Sequence, residues 1–414
     1  MAACADTAGN RGIVACIPVP CSAVFSTGRY AGFMNELRVT VDTVRRSVDA
    51  RLSAIVAERR EQWSDLAPSR ELLQTASDLL TGGKRMRAVL GAVALAYRAD
   101  GESRLQLLSS PVAAHLGAAL ELYQASALVH DDVIDAALTR RGIPTAHHRH
   151  SQLHTERSWR GDPQAYGVSA AILLGDLLLS AAGMEMGAAA RAAAVDDGAR
   201  LASRDAFDAM TQEVALGQFL DVRSEVLPLP GPDQDPVSAG SAMLDDALAV
   251  VRRKAARYSV MHPLLIGALL AGARPNTPLY QGLATFGEEI GIAFQLRDDV
   301  LGVFGDPALT GKPAGDDLRE GKRTALLAMT WRRSNEAGRD LLREVLARPK
   351  ASAEAIARVV ALIESCGARE AHEQEIVNHT RTGLDSLTHL GGEVSASTYR
   401  DLTAVAEMLT TRNA

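Results

Sequence analysis

Aspartates gather in two short runs whose spacing suits the capture of a cation. The run Leu128-Val-His-Asp-Asp-Val-Ile-Asp135 brings Asp131, Asp132 and Asp135 together. On a helix Asp131 and Asp135 share a face about 6 Å apart along the axis. Like charges at that spacing repel, and the stretch Ala113 to Val129 before them is strongly apolar. Carboxylates at the end of a buried helix are costly unless something positive joins them. Mg²⁺ takes oxygen ligands and is usually held by one or two carboxylates with substrate phosphates and water. Taken alone, the run also reads as a solvated acidic helix end. The second run, Phe294-Gln-Leu-Arg-Asp-Asp-Val-Leu-Gly302, sets Asp298 and Asp299 at the end of another apolar helix. Two such helices facing across a bundle make a cleft with carboxylates on both walls, as metal sites in bundles are built.

Cations accompany these runs. Gly82-Gly-Lys-Arg-Met-Arg87 carries Lys84 and Arg87 about one turn apart between two helical stretches. Arg140 and Arg141 follow the first aspartates, and Lys254, Lys312 and Lys322 flank the second half of the site. Diphosphates call for this mixture, planar bidentate contacts from Arg and point charges from Lys. Each cation taken singly fits a solvated surface charge equally well.

The elements that must position these groups read as helices. Leu37, Val41, Val44, Val48, Leu52 and Ile55 recur at steps of three and four, one helix face. The stretches 112–136, 167–191, 205–223, 243–271, 279–304 and 323–347 continue the pattern, without alternating strand runs joined by hairpin turns. The expectation is an all-α chain, a single large helical bundle around a central cavity. Residues 1–33, rich in small residues, Cys and Pro, are expected to form a disordered tail ahead of a domain spanning 34–414. The segments 142–167, 227–240 and 305–321 read as loops. The histidines at 147, 148, 150 and 154 suggest a solvated loop rather than a zinc site, for lack of Cys or a fixed helical pair.

Composition sets outer bounds. The chain has 414 residues, 47% of them hydrophobic, enough for a sizeable core. A net charge of -6 argues against nucleic acid as a partner. Three of the four cysteines lie at positions 4, 16 and 21, with neither a disulfide framework nor a zinc pattern, so a reducing cytoplasm is expected. A signal peptide is not expected, since Pro18 and Pro20 interrupt the mildly apolar segment 12–25. Nor is a transmembrane helix, for lack of a run of 18 or more apolar residues.

Taken together, the motifs resemble those of the trans-polyprenyl diphosphate synthases, the family that includes geranylgeranyl diphosphate synthases. The Gly-Gly-Lys-Arg at 82–85, the Asp-Asp-x-x-Asp at 131–135, the Arg pair at 140–141, Gly217-Gln-Phe-Leu-Asp221, the Lys254 segment and Gln295-Leu-Arg-Asp-Asp299 stand in family order. The likeness covers roughly residues 40 to 410. It implies Mg²⁺, two or three ions per site, on Asp131, Asp135 and Asp298 with Asp132 and Asp299 in support. It implies isopentenyl diphosphate on Lys84, Arg87 and Arg141. The allylic diphosphate would lie on Arg140, Lys254, Lys312 and Lys322, with Gln218, Asp221 and Gln295 lining the site. A homodimer is implied as well. Departures are Gln124 where many members have His, Ala255 where many have Thr, and Gly302 in place of a third aspartate. Gln124 can still donate to phosphate.

The implied reaction follows from charge. Mg²⁺ and cationic side chains stabilise the departing diphosphate of the allylic substrate. An allylic carbocation forms, the double bond of isopentenyl diphosphate attacks it, and the released diphosphate takes the proton. Apolar walls keep water from the cation. Tyr123, about 12 Å before Asp131 along the helix, would floor the product tunnel, with the small Ser126 and Ala127 leaving it open above. A product near twenty carbons is expected, with farnesyl or a medium-chain diphosphate as alternatives. A class I terpene cyclase lacks use for Lys84, Arg87 and Arg141. A non-catalytic partner subunit has no need to retain both acidic runs.

Overall fold

The computed structural model describes residues 27–140, 142–305, 315–346 and 351–412, with side chains from residue 34 onward. Arg141 and Lys312, for which the family resemblance implies diphosphate contacts, lie outside the described residues, as does the segment 1–26. The helices run α1 (Thr27–Gln62), α2 (Ser69–Leu80), α3 (Met86–Leu95), α4 (Gly101–Leu108), α5 (Pro111–Ile134), α6 (Ala146–Glu156), α7 (Pro163–Ala192) and α8 (Asp197–Val226). Then come α9 (Pro236–Val250), a π-helical segment (Val251–Met261), α10 (His262–Leu270) and α11 (Pro278–Phe304). The last are α12 (Asp316–Glu320), α13 (Ala325–Arg333), α14 (Glu336–Leu346), α15 (Ala353–Ser365), α16 (Ala368–His389) and α17 (Ala396–Thr410). One two-residue antiparallel pair, Thr139–Arg140 with Ile143–Pro144, closes the turn after α5.

The all-α expectation therefore holds, and the long helices fall where the apolar periodicity put them. Their starts are written in cap chemistry. Ser110, Asp162, Asp235 and Thr277 each accept a backbone N–H of the first turn, and each is followed by Pro at the first helical position. The apolar faces of α1, α3, α5, α7, α8 and α11 meet in a main core that includes Val44, Val48, Leu90, Leu120, Phe207 and Phe286. A smaller core around Trp331, Leu342 and Ile363 joins α13, α14 and α15. Truncating one of these buried leucines to Ala would cost about 2–5 kcal/mol.

Two expectations are corrected. First, α1 already runs from Thr27, so the proposed boundary between residues 33 and 34 falls inside a helix. Second, 142–167 is not a loop: α6 occupies 146–156, and His147, His150 and His154 are buried on it. Their spacing of three and four is that of a helix face, hidden by polar composition. By length and composition alone, α5 and α7 are long and apolar enough to cross a membrane. α5 is two-thirds buried in its most apolar window, the mark of a core helix, whereas α7 is buried over only a third.

Two glycines set the geometry around Lys254. A Cβ on Gly217 of α8 would come 2.4 Å from the Lys254 backbone nitrogen, and one on Gly291 of α11 would come 2.4 Å from the Ala256 carbonyl oxygen. The π-helical segment therefore beds between α8 and α11 because both neighbours lack a side chain there. A widened turn of this kind re-aims the side chains it carries, and here it carries Lys254.

Candidate active site

Asp131 and Asp132 lie in the last turn of α5, and Asp135 is its C-cap, its N–H bonded to the Asp131 carbonyl. Asp298 and Asp299 lie near the end of α11. Both helices thus concentrate carboxylates at the negative end of the helix dipole, and neither has a basic residue in its last turn to compensate. Such an arrangement is unfavourable for the fold by itself and favourable for a cation.

Side-chain cations answer these charges. Arg140 donates from Nε to Asp132 Oδ1 at 2.7 Å and from Nη2 to Asp131 Oδ2 at 3.1 Å. Lys254 Nζ donates to Asp221 Oδ2 at 2.5 Å and stands 3.4 Å from Asp131 Oδ1, linking α8 to α5. Burial works against the charge on Lys254, but Asp221 and then Asp131 hold its ammonium above the usual range. Lys322 Nζ lies 2.7 Å from Glu320 Oε2 and 3.5 Å from Asp317 Oδ1. Burial opposes its charge too, yet Asp317, Glu320 and also Asp135 keep it protonated. Lys322 thereby couples the end of α5 to the α11–α12 side. Arg412, just past α17, pairs with Asp298 and lies over the Phe294 ring at 4.5 Å. The Arg297 Nε holds the end of α17 there by donating to the Thr410 carbonyl at 3.0 Å, and its two Nη groups each bond Glu373 at 2.7 Å.

Two buried acids stand out. Asp299 is 5% exposed, Gln295 Nε2 donates to its Oδ1 at 3.2 Å, and its Oδ2 has no hydrogen-bond partner among the described residues. Burial, then the facing Asp317, pushes its carboxyl up to about 8. Glu225, one turn beyond Asp221 on α8, is pushed up to about 7 by burial and then by Asp221 and Asp135. The sequence reading overlooked Glu225, although its i+4 relation to Asp221 was available.

The residues present fit Mg²⁺. They offer hard oxygen donors from two facing helix ends, and Asp131 Oδ1 and Asp299 Oδ2 are buried without a hydrogen bond among the described residues. Among those residues no three carboxylates converge on one point; Asp131, Asp132, Asp221 and Asp298 pair with Arg140, Lys254 or Arg412 instead.

A second cationic pole lies at the start of α3. Gly82 and Gly83 take φ of +76° and +100°, and Arg85 follows at 53°, so the chain turns sharply into the helix. Arg85 is buried and bonds Asp49 at 2.8 Å, Glu121 at 3.2 Å and the Leu80 carbonyl, which offsets its left-handed backbone. It is the structural member of the motif. Lys84 is exposed, and no side chain caps the first N–H groups of α3, a ready anion site. Arg87 donates to Gln124 Oε1 at 2.5 Å and to Ser259 Oγ at 2.7 Å, and lies 4.0 Å from the centre of the Tyr258 ring. Its Nε has no partner among the described residues. Since Gln124 spends its oxygen on Arg87, its amide nitrogen stays available to an anion. Gln218 is half-buried one helical turn from Asp221.

Tyr123 is 6% exposed, edge-on to Phe207 at 6.2 Å and to Tyr258 at 5.6 Å, and its hydroxyl donates to the Thr211 carbonyl at 3.3 Å. Ala127 is half-buried. Ser126 is turned to α7, its hydroxyl on the Gly175 carbonyl at 2.7 Å. A larger residue at 126 would therefore press α5 and α7 apart, which the sequence spacing alone did not reveal.

Comparison with known proteins agrees with this geometry. The family model described as Polyprenyl synthetase matches residues 69–363. The chain is 29% identical to the geranylfarnesyl diphosphate synthase of Aeropyrum pernix, over 75% of this chain and 84% of that one. It is 28% identical to the geranylgeranyl diphosphate synthase of Sulfolobus acidocaldarius, over 76% and 82%. Among solved structures, geranylgeranyl pyrophosphate synthase from Corynebacterium glutamicum, complexed with isoprenyl diphosphate and magnesium, superposes with a TM-score of 0.78 at 35% identity. That match covers 90% of this chain and 99% of the other. With two acidic helix ends, the cations that answer them and a family match across most of its length, this chain belongs to the polyprenyl synthetase family.

Proposed function

We propose that this chain condenses an allylic diphosphate with isopentenyl diphosphate, head to tail, to give geranylgeranyl diphosphate, using the residues described above. The family makes it a prenyltransferase that elongates a prenyl chain with Mg²⁺; the residue roles, the ion count and the product length are the proposal. The observation that carries it is the pair of acidic helix ends on α5 and α11, with Lys254 tying α5 to α8 and Lys322 facing Asp135 on one side and Asp317 on the other. Asp131, Asp135 and Asp298 would hold two or three Mg²⁺ ions, with Asp132 and Asp299 in support. When bound, Mg²⁺ supplies positive charge to the leaving diphosphate.

The chain's own groups do the rest. Arg140, Lys254 and Lys322 leave their carboxylates to bind the allylic diphosphate, with Gln218, Asp221 and Gln295 around it. Lys84, Arg87 and Gln124 hold isopentenyl diphosphate at the mouth of α3. Arg141 and Lys312 keep the phosphate roles that the sequence gives them. As the allylic C–O bond breaks, the electron pair leaves with the diphosphate. The isopentenyl double bond then forms the new C–C bond, and the proton lost from its C2 passes to the released diphosphate. Apolar side chains of α5 and α8 exclude water from the cation.

The three-ring contact of Tyr123, Phe207 and Tyr258 supports a floor about 12 Å from Asp131 along α5. A second copy of the chain is the proposed cover for the apolar side chains that α7 and α8 expose, Leu173 and Phe219 each being 62% exposed; exposed apolar groups on two neighbouring helices suit a self-complementary interface. A reducing cytoplasm remains the proposed setting, with Cys366 unpaired. The test is turnover of purified protein with isopentenyl diphosphate and C5, C10 or C15 allylic diphosphates, followed by chromatography of the hydrolysed alcohols. A Mg²⁺-dependent C20 alcohol is expected; no turnover with any allylic partner would favour the subunit reading.

A further inference from the structure

Along the π-helical segment and into the start of α10, three basic residues recur at steps of five: Arg252, Arg257 and His262. Five is the step of the i→i+5 winding itself, so the three stand one above another in a row. On an α-helix a step of five turns a side chain about 140° away, and a single carboxylate no longer spans two such neighbours. Two glutamates from other helices use the row. Glu288 of α11 accepts from Arg257 Nε at 2.9 Å and from its Nη2 at 3.3 Å, and stands 3.4 Å from Arg252 Nε. Glu213 of α8 accepts from Arg257 Nη1 at 2.6 Å, and its other oxygen lies 3.1 Å from His262 Nε2. Arg257 is the middle rung, tied to both neighbouring helices at once.

The same winding carries groups that face the cleft. Lys254, which donates to Asp221, and Ser259, which accepts from Arg87, are also five apart. Gly217 and Gly291 make room for the wide turn, but bare backbone only permits it. A preference for one winding needs contacts that exist in that winding and not in the other. The two glutamates supply contacts of this kind: in an α winding Ala256, four residues on, would stand beside Arg252 in place of Arg257. We propose that Glu213 and Glu288 are positioning residues for the reaction: by lacing Arg252, Arg257 and His262 together they hold the segment in its five-residue register, and this register aims Lys254 and Ser259 at the two diphosphate sites.

This inference rests on the phosphate roles proposed for Lys254 and Arg87, and the experiment separates the two. Binding of a C10 allylic diphosphate in Mg²⁺ buffer is read by isothermal titration calorimetry, with isopentenyl diphosphate left out so that no turnover intrudes. Glu288→Gln keeps the size of the side chain and removes its charge; it is expected to weaken binding roughly tenfold. Arg257→Lys keeps the charge, but one ammonium cannot replace a planar fork that spans two glutamates, and a loss of about fivefold is expected. Lys254→Ala should weaken binding by itself, and adding Glu288→Gln to it should cost less than about twofold more, because the lace acts through Lys254. Circular dichroism melts confirm that each variant is folded, and where one is not the other carries the test. Folded Glu288→Gln or Arg257→Lys protein that binds like the unaltered chain overturns the inference; if its melt is also lower, the lace serves packing alone. Losses that multiply in the double variant overturn it as well, since Glu288 would then act apart from Lys254. If Lys254→Ala leaves binding unchanged, the phosphate role of Lys254 is what fails, and the inference falls with it.

Discussion

Asp299 should make the metal-free protein less stable as pH rises past neutrality. Its carboxyl titrates near 3.8 in the unfolded chain and is pushed up to about 8 in the fold, by burial first and then by Asp317. Between these values the native state holds a proton that the unfolded state has released. Stability therefore falls with rising pH across the window and is lost in full once pH passes the folded value. One proton corresponds to about 1.4 kcal/mol per pH unit. The useful window is pH 6.5 to 8, because below it buried histidines act in the opposite sense; His372, for example, is lowered to about 3 by burial. Allowing for partial ionisation near the folded value, Asp299 should contribute a loss of roughly 1.5 kcal/mol from pH 6.5 to 8. The assay is urea unfolding by tryptophan fluorescence in EDTA, comparing the unaltered chain with Asp299→Asn. The slope should be shallower by that amount in the variant. In the unaltered chain Mg²⁺ with pyrophosphate should flatten it, since a nearby cation favours the ionised carboxylate. Identical slopes in the two proteins would refute the claim that Asp299 is a buried acid.

Further outcomes follow from the same geometry. Asp131→Ala or Asp298→Ala should lower kcat by about a hundred- to a thousandfold while the melting curve is retained; near-normal turnover at saturating Mg²⁺ would contradict the metal assignment. Lys84→Ala and Arg87→Ala should raise KM for isopentenyl diphosphate about ten- to a hundredfold, the worth of one charge-assisted hydrogen bond, and spare KM for the allylic substrate; equal losses for both would undo the partition. Tyr123→Ala should lengthen the product, read as later-eluting alcohols, whereas Ser126→Phe should lower the melting temperature rather than shorten the chain cleanly. Arg412→Ala should reduce the Mg²⁺ needed for half-maximal activity by about fivefold, because a half-exposed pair is worth up to about 1 kcal/mol; an unchanged requirement would mean that Arg412 does not compete for Asp298.

Long helices and the acidic runs were legible in the sequence because both are local. A period of 3.6 and an Asp at i and i+4 need no knowledge of what packs against them. The π-helical segment was not legible, since it depends on Gly217 and Gly291 of two other helices offering bare backbone to residues 254 and 256. α6 was missed because its buried face is made of histidines, which composition scores as polar. Arg85, to which the sequence reading gave no role of its own, proves to be a tie to Asp49 and Glu121. The pairing of Arg412 with Asp298 joins residues more than a hundred positions apart and leaves no local trace.

Those non-local contacts share one physical logic. The site gathers Asp131, Asp132, Asp135, Asp221, Asp298 and Asp299, which would repel one another in the absence of metal. The fold tolerates them because most acidic groups of the two walls have an ionic partner from another element: Arg140 for Asp131 and Asp132, Lys254 for Asp131 and Asp221, Lys322 for the α12 side, Arg412 for Asp298; Asp299 is instead bonded by Gln295 of its own helix. These cations are the same kind of group that a diphosphate recruits. With the roles proposed above, arrival of a magnesium diphosphate would exchange partners rather than create charge pairs from nothing: the carboxylates would hold the metal and the freed Arg and Lys would bind the phosphates. The exchange keeps the count of ion pairs nearly constant in a cleft that must also exclude water, where an unpaired charge would be costly. On this argument the catalytic cations are also stabilising residues of the empty site, so Lys254→Ala should lower the metal-free melting temperature and Mg²⁺ should restore part of the loss. A variant that lost turnover with an unchanged metal-free melt would show that Lys254 serves substrate alone.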